Sequence, residues 1–139
     1  MQVKVKKLKP EAIIPCYAHP DDAGLDLRAL DSYLLQPGER KFFDLGFALE
    51  FPAGCVAVIK DRGSLGRQGV HTLAGVFDAG YRGEYNVLLV NLSQQAYQVN
   101  TGDRIAQLVI LPIIQAELIE TEQLTDTSRG AGRFGSTGK

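Results

Sequence analysis

Period-two alternation of apolar and polar residues, and runs of β-branched apolar residues, recur in several short stretches. These are Val3 with Val5, Val56-Ala57-Val58-Ile59, Tyr85-Asn86-Val87-Leu88-Leu89-Val90, Tyr97-Gln98-Val99 and Ile105-Ala106-Gln107-Leu108-Val109-Ile110. Successive side chains of a strand point to opposite faces, and β-branched and aromatic residues suit a pleated surface, so each stretch predicts a strand. Turn-forming groups separate them: Pro37-Gly38, Pro52-Ala53-Gly54, Ala79-Gly80, Arg82-Gly83 and Thr101-Gly102-Asp103. The pattern predicts an antiparallel all-β domain with little helix. Residues 64–69 are too rich in glycine to favour a helix, and residues 115–123 read equally as a strand or as the start of a polar tail. Sheet edges must be hidden by closure into a barrel, jelly roll or sandwich, or by association, so subunit contacts are expected.

Composition sharpens this to one domain. A chain of 139 residues, 45% of them hydrophobic, can bury one core of ordinary size. The domain is expected to span residues 1–124. From Thr125 onward glycine and polar residues replace the alternation, which predicts a tail, residues 125–139, that stays mobile until something holds it. With 15 basic and 16 acidic side chains, the net charge of -1 carries no basic surplus of the kind that marks a general nucleic-acid or anionic-membrane binder. No apolar run approaches the roughly 18 residues of a membrane span, and no apolar stretch follows the lysines near Met1, so a soluble cytoplasmic protein is expected. Cys16 and Cys55 stand far apart with no C-x-x-C spacing, which fits two reduced thiols.

Four segments hold candidate chemistry. In Gly24-Leu25-Asp26-Leu27-Arg28, Asp26 falls on the face opposite the two leucines. It reads either as a solvent-facing strand charge paired with Arg28 or as a carboxylate that meets a Mg2+-nucleotide, directly or through metal-bound water. Arg62-Gly63-Ser64-Leu65-Gly66-Arg67 follows an apolar strand and combines close backbone approach with guanidinium and hydroxyl donors, a phosphate-site signal. Asp78 lies in a turn of what reads as a hairpin over residues 73–90, where partial burial would raise its pKa and let it take a proton from water. The terminal Gly135-Ser136-Thr137-Gly138-Lys139 ends like a phosphate loop, but Arg133 stands five residues before Gly138, where that loop needs glycine. With only His19 and His71 and no Pro-Cys-x-x-Cys, zinc chemistry is disfavoured.

Taken in order, these segments resemble the five motifs of the trimeric dUTPase family across most of the chain. They are Ala23-Gly24-Leu25-Asp26-Leu27-Arg28-Ala29, Arg62-Gly63-Ser64-Leu65-Gly66, Gly75-Val76-Phe77-Asp78-Ala79-Gly80-Tyr81-Arg82-Gly83, Gly102-Asp103-Arg104-Ile105-Ala106-Gln107-Leu108, and the stretch from Arg129 to Gly138. Two positions depart from the commoner wording: Gly63 and Ser64 stand in inverse order, and Arg133 replaces a glycine before Phe134.

The resemblance implies a distorted jelly roll (β-clip) that forms a homotrimer with active sites at subunit interfaces. It implies hydrolysis of dUTP to dUMP and pyrophosphate, which limits uracil incorporation into DNA and supplies dUMP for dTMP synthesis. Asp78 would be the base that activates water. The hairpin residues Thr72, Gly75, Val76 and Phe77 would receive the nucleoside, with Tyr81 under the sugar. Arg62, Gly63, Ser64 and Gln107 would bind phosphate, and Asp26 would hold water on Mg2+. The tail, with Arg129, Phe134, Gly135 and Ser136, would close over a neighbouring subunit's site. The Arg-Gly-Ser-Leu-Gly-Arg order also resembles the dCTP deaminases, but their proton-shuttling glutamate is matched here by Leu88, with Glu84 four residues too early.

Overall fold

In the computed structural model, which describes residues 1–133, eleven strands and a single helical turn follow one another along the chain. They are β1 (Lys4–Lys7), β2 (Leu25–Arg28), β3 (Tyr33–Leu35), β4 (Arg40–Asp44), β5 (Phe47–Glu50), β6 (Cys55–Lys60), α1 (Gly63–Gly66), β7 (Val70–Leu73), β8 (Val76–Asp78), β9 (Asn86–Asn91), β10 (Tyr97–Val99) and β11 (Arg104–Pro112). Every pairing is antiparallel. The largest sheet runs β2-β11-β6-β8, a second runs β4-β9-β7, and the pairs β1-β5 and β10-β3 complete a distorted jelly roll. Its core gathers Leu27, Leu35, Phe47, Ile59, Leu65, Tyr85, Leu89 and Leu108.

The alternating stretches became β1, β6, β9, β10 and β11, within a residue or two of the predicted bounds. Strands β3, β4 and β5 were not legible. Phe47, Ala48 and Leu49 are all buried, so no period-two signal marks that strand. The glycine-rich 64–69 segment corrects one expectation, because α1 forms there. Only one turn is required, and burial of Leu65 at 5% exposure outweighs a cost of about 1 kcal/mol per glycine. Residues 115–123 form no strand.

The hairpin predicted over residues 73–90 is half right. Strand β7 does pair with β9, Leu73 opposite Leu88, but the chain between them leaves that sheet. Ala74 and Gly75 both adopt positive φ, at 57° and 92°, and turn the backbone so that β8 pairs with β6 in the other sheet. A Cβ on Gly75 would lie 3.0 Å from the Ile59 Cβ and 3.2 Å from its carbonyl oxygen, so this crossing requires glycine. Asp78 thus ends a strand and does not sit in a hairpin turn.

At the centre of the core Tyr85 is completely buried, stacked between Phe77 and Phe47 at ring distances of 4.2 and 5.6 Å. Its hydroxyl has no hydrogen-bond partner among the described residues, and burial pushes its pKa up to about 12. An unmade hydrogen bond in the interior costs on the order of 1 kcal/mol or more. Tyr85→Phe is therefore expected to raise stability by about 1 kcal/mol in urea denaturation; a lowered midpoint would show that the hydroxyl has a partner.

Candidate active site

The open end of the large sheet holds a cleft of about 430 Å³ whose lining includes Asp26, Arg62, Gly63, Ser64, Arg104 and Gln107. Asp26 on β2 stands directly opposite Gln107 on β11. Arg104 lies three residues before Gln107, and in a regular strand residues three apart face opposite sides. Here β11 carries a bulge at Ile105: Arg104 pairs with Arg28, and Ala106 already pairs with Leu27. The extra residue restores parity and turns Arg104 and Gln107 into the same cleft.

The first reading of Asp26, a solvent-facing charge paired with Arg28, is overturned. Asp26 is buried at 8% exposure, and its two carboxylate oxygens lie 3.2 Å from the Arg62 and Arg104 Nε atoms. Arg28 instead donates to the Gly102 carbonyl at 2.7 Å. A buried carboxylate needs such neutralisation, and two guanidinium groups supply it. Each guanidinium carries five N–H donors, of which Asp26 faces one, and Arg62 gives a second to the Arg104 carbonyl at 3.3 Å. The remainder suit phosphate oxygens. The other cleft carboxylate, Asp22, is engaged within its own loop by the His19 N–H at 2.9 Å.

Gln107 is held from two sides. Its Nε2 donates to the Asp61 carbonyl at 2.7 Å, and a Cβ on Gly24 would lie 2.3 Å from its Oε1, so only glycine at position 24 leaves room for it. Asp61 also braces the strand that follows the α1 turn. Its carboxylate accepts the Thr72 N–H and hydroxyl, both at 2.6 Å, and contacts the His71 ring. Burial raises the Asp61 pKa, but the bonds from Thr72 and His71 outweigh it and hold the carboxyl below its ordinary 3.8.

The third predicted segment lies elsewhere. Gly75, Val76 and Phe77 line a cavity of about 160 Å³ together with Leu73 and Leu88, sharing no residue with the cleft. Asp78 is exposed, not partly buried as expected, and pairs with Val56. Gln107 pairs with Lys60, four residues further along the same strand β6. At 3.3 Å per residue the two positions are about 13 Å apart along the strand. Tyr81 is 40% exposed and donates to the Glu84 carbonyl at 3.1 Å.

The structure therefore brings Asp26, Arg62, Gly63, Ser64 and Gln107 together, and separately Gly75, Val76 and Phe77. Thr72 reaches neither cavity, because its donors are committed to Asp61. Arg129 lies in an exposed turn, where its Nε donates to the Gly132 carbonyl at 3.0 Å. Phe134, Gly135 and Ser136 lie outside the described residues. Sequence reasoning missed Arg104 and Asp61. Arg104 lies inside the fourth motif and Asp61 directly before the second, but only the bulge and the folded position of Thr72 disclose what they do. The Leu88 side of the deaminase comparison stays apolar, and Glu84 is engaged by the Gly46 N–H at 2.8 Å and Lys9 at 2.9 Å.

A jelly-roll domain with guanidinium, hydroxyl and amide donors converging on one cleft has the donor set of a phosphate-binding enzyme. The dUTPase family profile matches residues 10–138, and the chain belongs to that family. Similar proteins include deoxyuridine 5'-triphosphate nucleotidohydrolases of Nautilia profundicola, 46% identical over 100% of both chains, and of Gloeothece citriformis, 43% identical over 99% of this chain and 97% of the relative. A dUTPase of Staphylococcus bacteriophage 80alpha, solved with dUpNHpp, superposes with a TM-score of 0.92 at 27% identity and covers 99% of each chain. A phage phi11 dUTPase described with a structural Mg(II) ion superposes with a TM-score of 0.84 at 25% identity, covering 91% of this chain and 100% of the other.

The lowered Asp61 pKa implies stability that is present above the unfolded carboxyl value and lost as pH falls through the folded one. The stability advantage of the wild type over Asp61→Asn is expected to be full at neutral pH and to shrink below about pH 4. Chemical denaturation at both pH values checks it; an advantage independent of pH would remove the Asp61 carboxylate as its source.

Proposed function

We propose that this chain hydrolyses dUTP to dUMP and pyrophosphate, with Asp78 as the base that orients and deprotonates the attacking water. Family membership and relatives above 40% identity over nearly the whole chain support the reaction. The observation that carries the site is the convergence of Arg62, Ser64, Arg104 and Gln107 around the nearly buried Asp26.

In this reading the cleft takes the triphosphate. Arg62 and Arg104 direct their unused N–H donors at its oxygens, and Ser64 and Gln107 add hydroxyl and amide donors. The nucleoside enters the cavity beside Gly75, Val76 and Phe77, with the deoxyribose over Tyr81. Asp78 draws a proton from water aligned opposite the leaving pyrophosphate. Phosphoryl chemistry of this kind asks chiefly for positioning and charge neutralisation.

The donor set also fits Mg2+ in one particular way. Among the described residues no group of three carboxylate, histidine or cysteine ligands is assembled, so no all-protein cage exists there. A single carboxylate, Asp26, suits an ion held mainly by phosphates and water. Mg2+ would neutralise charge developing on the phosphate oxygens. Asp26, held in place by Arg62 and Arg104, would orient one of its waters.

The separation of Asp78 from the cleft along β6 supports a site shared between subunits. So does the surface. Ile114, Leu118, Ile119 and Leu124 are 95, 93, 79 and 88% exposed, an apolar segment suited to burial against another copy. We read the assembly as a cytoplasmic homotrimer whose tail, with Arg129 and Phe134, closes over a neighbour's site.

Two measurements test this. Asp78→Asn is expected to bind nucleotide while losing about 10²- to 10⁴-fold in kcat, and near-normal turnover would remove Asp78 from the role of base. Asp78→Asn and Asp26→Asn chains, each inactive alone, should regain activity when unfolded and refolded together, because roughly a quarter of the sites in statistical trimers combine two intact halves. No recovery, with trimers formed, would place both carboxylates of a site on one chain.

A further inference from the structure

We infer that Phe77 and Tyr85 are positioning residues that set the ring of Tyr81 and, through it, the discrimination between deoxyribose and ribose nucleotides. The inference rests on the reading above that the sugar packs on Tyr81. An exposed tyrosine on a loop is ordinarily free to change rotamer, and a loose ring discriminates poorly against one additional hydroxyl.

Tyr81 is not loose. Its ring leans on Phe77 at 5.7 Å and 51°, and on Tyr85 at 5.9 Å and 55°, both within the range of favourable aromatic pairs. Phe77 is itself stacked on Tyr85 at 4.2 Å and 15°, and Tyr85 on the fully buried Phe47 at 5.6 Å and 21°. Four rings thus connect the core to the surface. Phe77 has room because its partner across the β6 ladder is the small Ala57.

The far end of Tyr81 is fixed as well. Its hydroxyl donates to the Glu84 carbonyl, and Glu84 is anchored by the Gly46 N–H and by Lys9. A Cβ on Gly83 would lie 2.3 Å from the Tyr81 hydroxyl oxygen and 2.5 Å from Cζ, so the ring rests on the bare backbone of Gly83. Ring stacking on one side, a hydrogen bond at the tip and glycine beneath leave little freedom in either side-chain torsion.

A purely structural role for the stack would lower stability and leave substrate choice unchanged. The test is the ratio of kcat/KM for dUTP to that for UTP, measured by pyrophosphate release with the full-length protein. Phe77→Leu and Tyr85→Leu are each expected to lower that ratio about tenfold, as loss of a ring stack allows. Tyr85→Phe, which keeps the ring, should hold it within about twofold of wild type. Gly83→Ala, which pushes Tyr81 aside without touching the core, should lower the ratio even if the leucine variants do not fold. An unchanged ratio in Gly83→Ala and in the folded leucine variants, where Tyr81→Ala lowers it, would overturn the inference and leave the proposed reaction intact. If Tyr81→Ala leaves the ratio unchanged, the sugar is read elsewhere and the inference falls with that reading. Absence of dUTP turnover in the wild type would refute the proposed reaction itself.

Discussion

The antiparallel ladder between β6 and β11, six residue pairs from Gln107 opposite Lys60 to Pro112 opposite Cys55, is the constraint on which the functional geometry depends. One end of it holds the cleft: Gln107 and Arg104 come from β11, and β6 runs out into Asp61, Arg62 and the α1 turn. The other end holds Asp78, because β8 pairs alongside Val56, Ala57 and Val58. A rigid ladder keeps these two sets of groups at a constant spacing. It also prevents one chain from folding them onto each other, so within a chain the same ladder that orders each set keeps the two sets apart.

At the cleft end, electrostatics decides the arrangement. A nearly buried carboxylate without partners would be costly, and Asp26 has two guanidinium groups on it. Those contacts orient Arg62 and Arg104, and a bond from Arg62 to the Arg104 carbonyl ties the two together, while their remaining N–H donors stay available to a polyanion. Asp61 performs a similar service at the next position. Its carboxylate holds β7 through Thr72 and His71 while its carbonyl holds Gln107, so the start of the α1 turn is tied to two strands. None of these groups requires a net positive chain. The -1 overall charge and a local concentration of donors are compatible because only the cleft matters.

At the other end, packing decides. The positive-φ pair Ala74 and Gly75 sends β8 to β6, and this crossing lifts Phe77 onto Tyr85 and leaves Asp78 exposed. Among the described residues the core leaves the Tyr85 hydroxyl without a partner there, in exchange for a continuous aromatic stack. That cost is easier to understand if the stack holds Tyr81 for a purpose beyond stability.

The sequence by itself determined the fold class and the motif residues. Strands β6, β9, β10 and β11 could be read directly because each carries period-two alternation or a run of β-branched apolar residues, and the residues of each motif are contiguous in the chain; in β4 the exposed Phe42 beside the buried Phe43 breaks the alternation. Where a strand is buried on both faces, as at Phe47, Ala48 and Leu49, the alternation vanishes and with it the signal. Only the tertiary structure decided that Asp26 is buried between Arg62 and Arg104, that a bulge at Ile105 brings Arg104 beside Gln107, and that Asp78 belongs to a strand of the large sheet. Each of these depends on which strands lie side by side and in which register. Register is a relation between segments far apart in the chain, as for Asp26 and Gln107, and no local pattern of side chains records it.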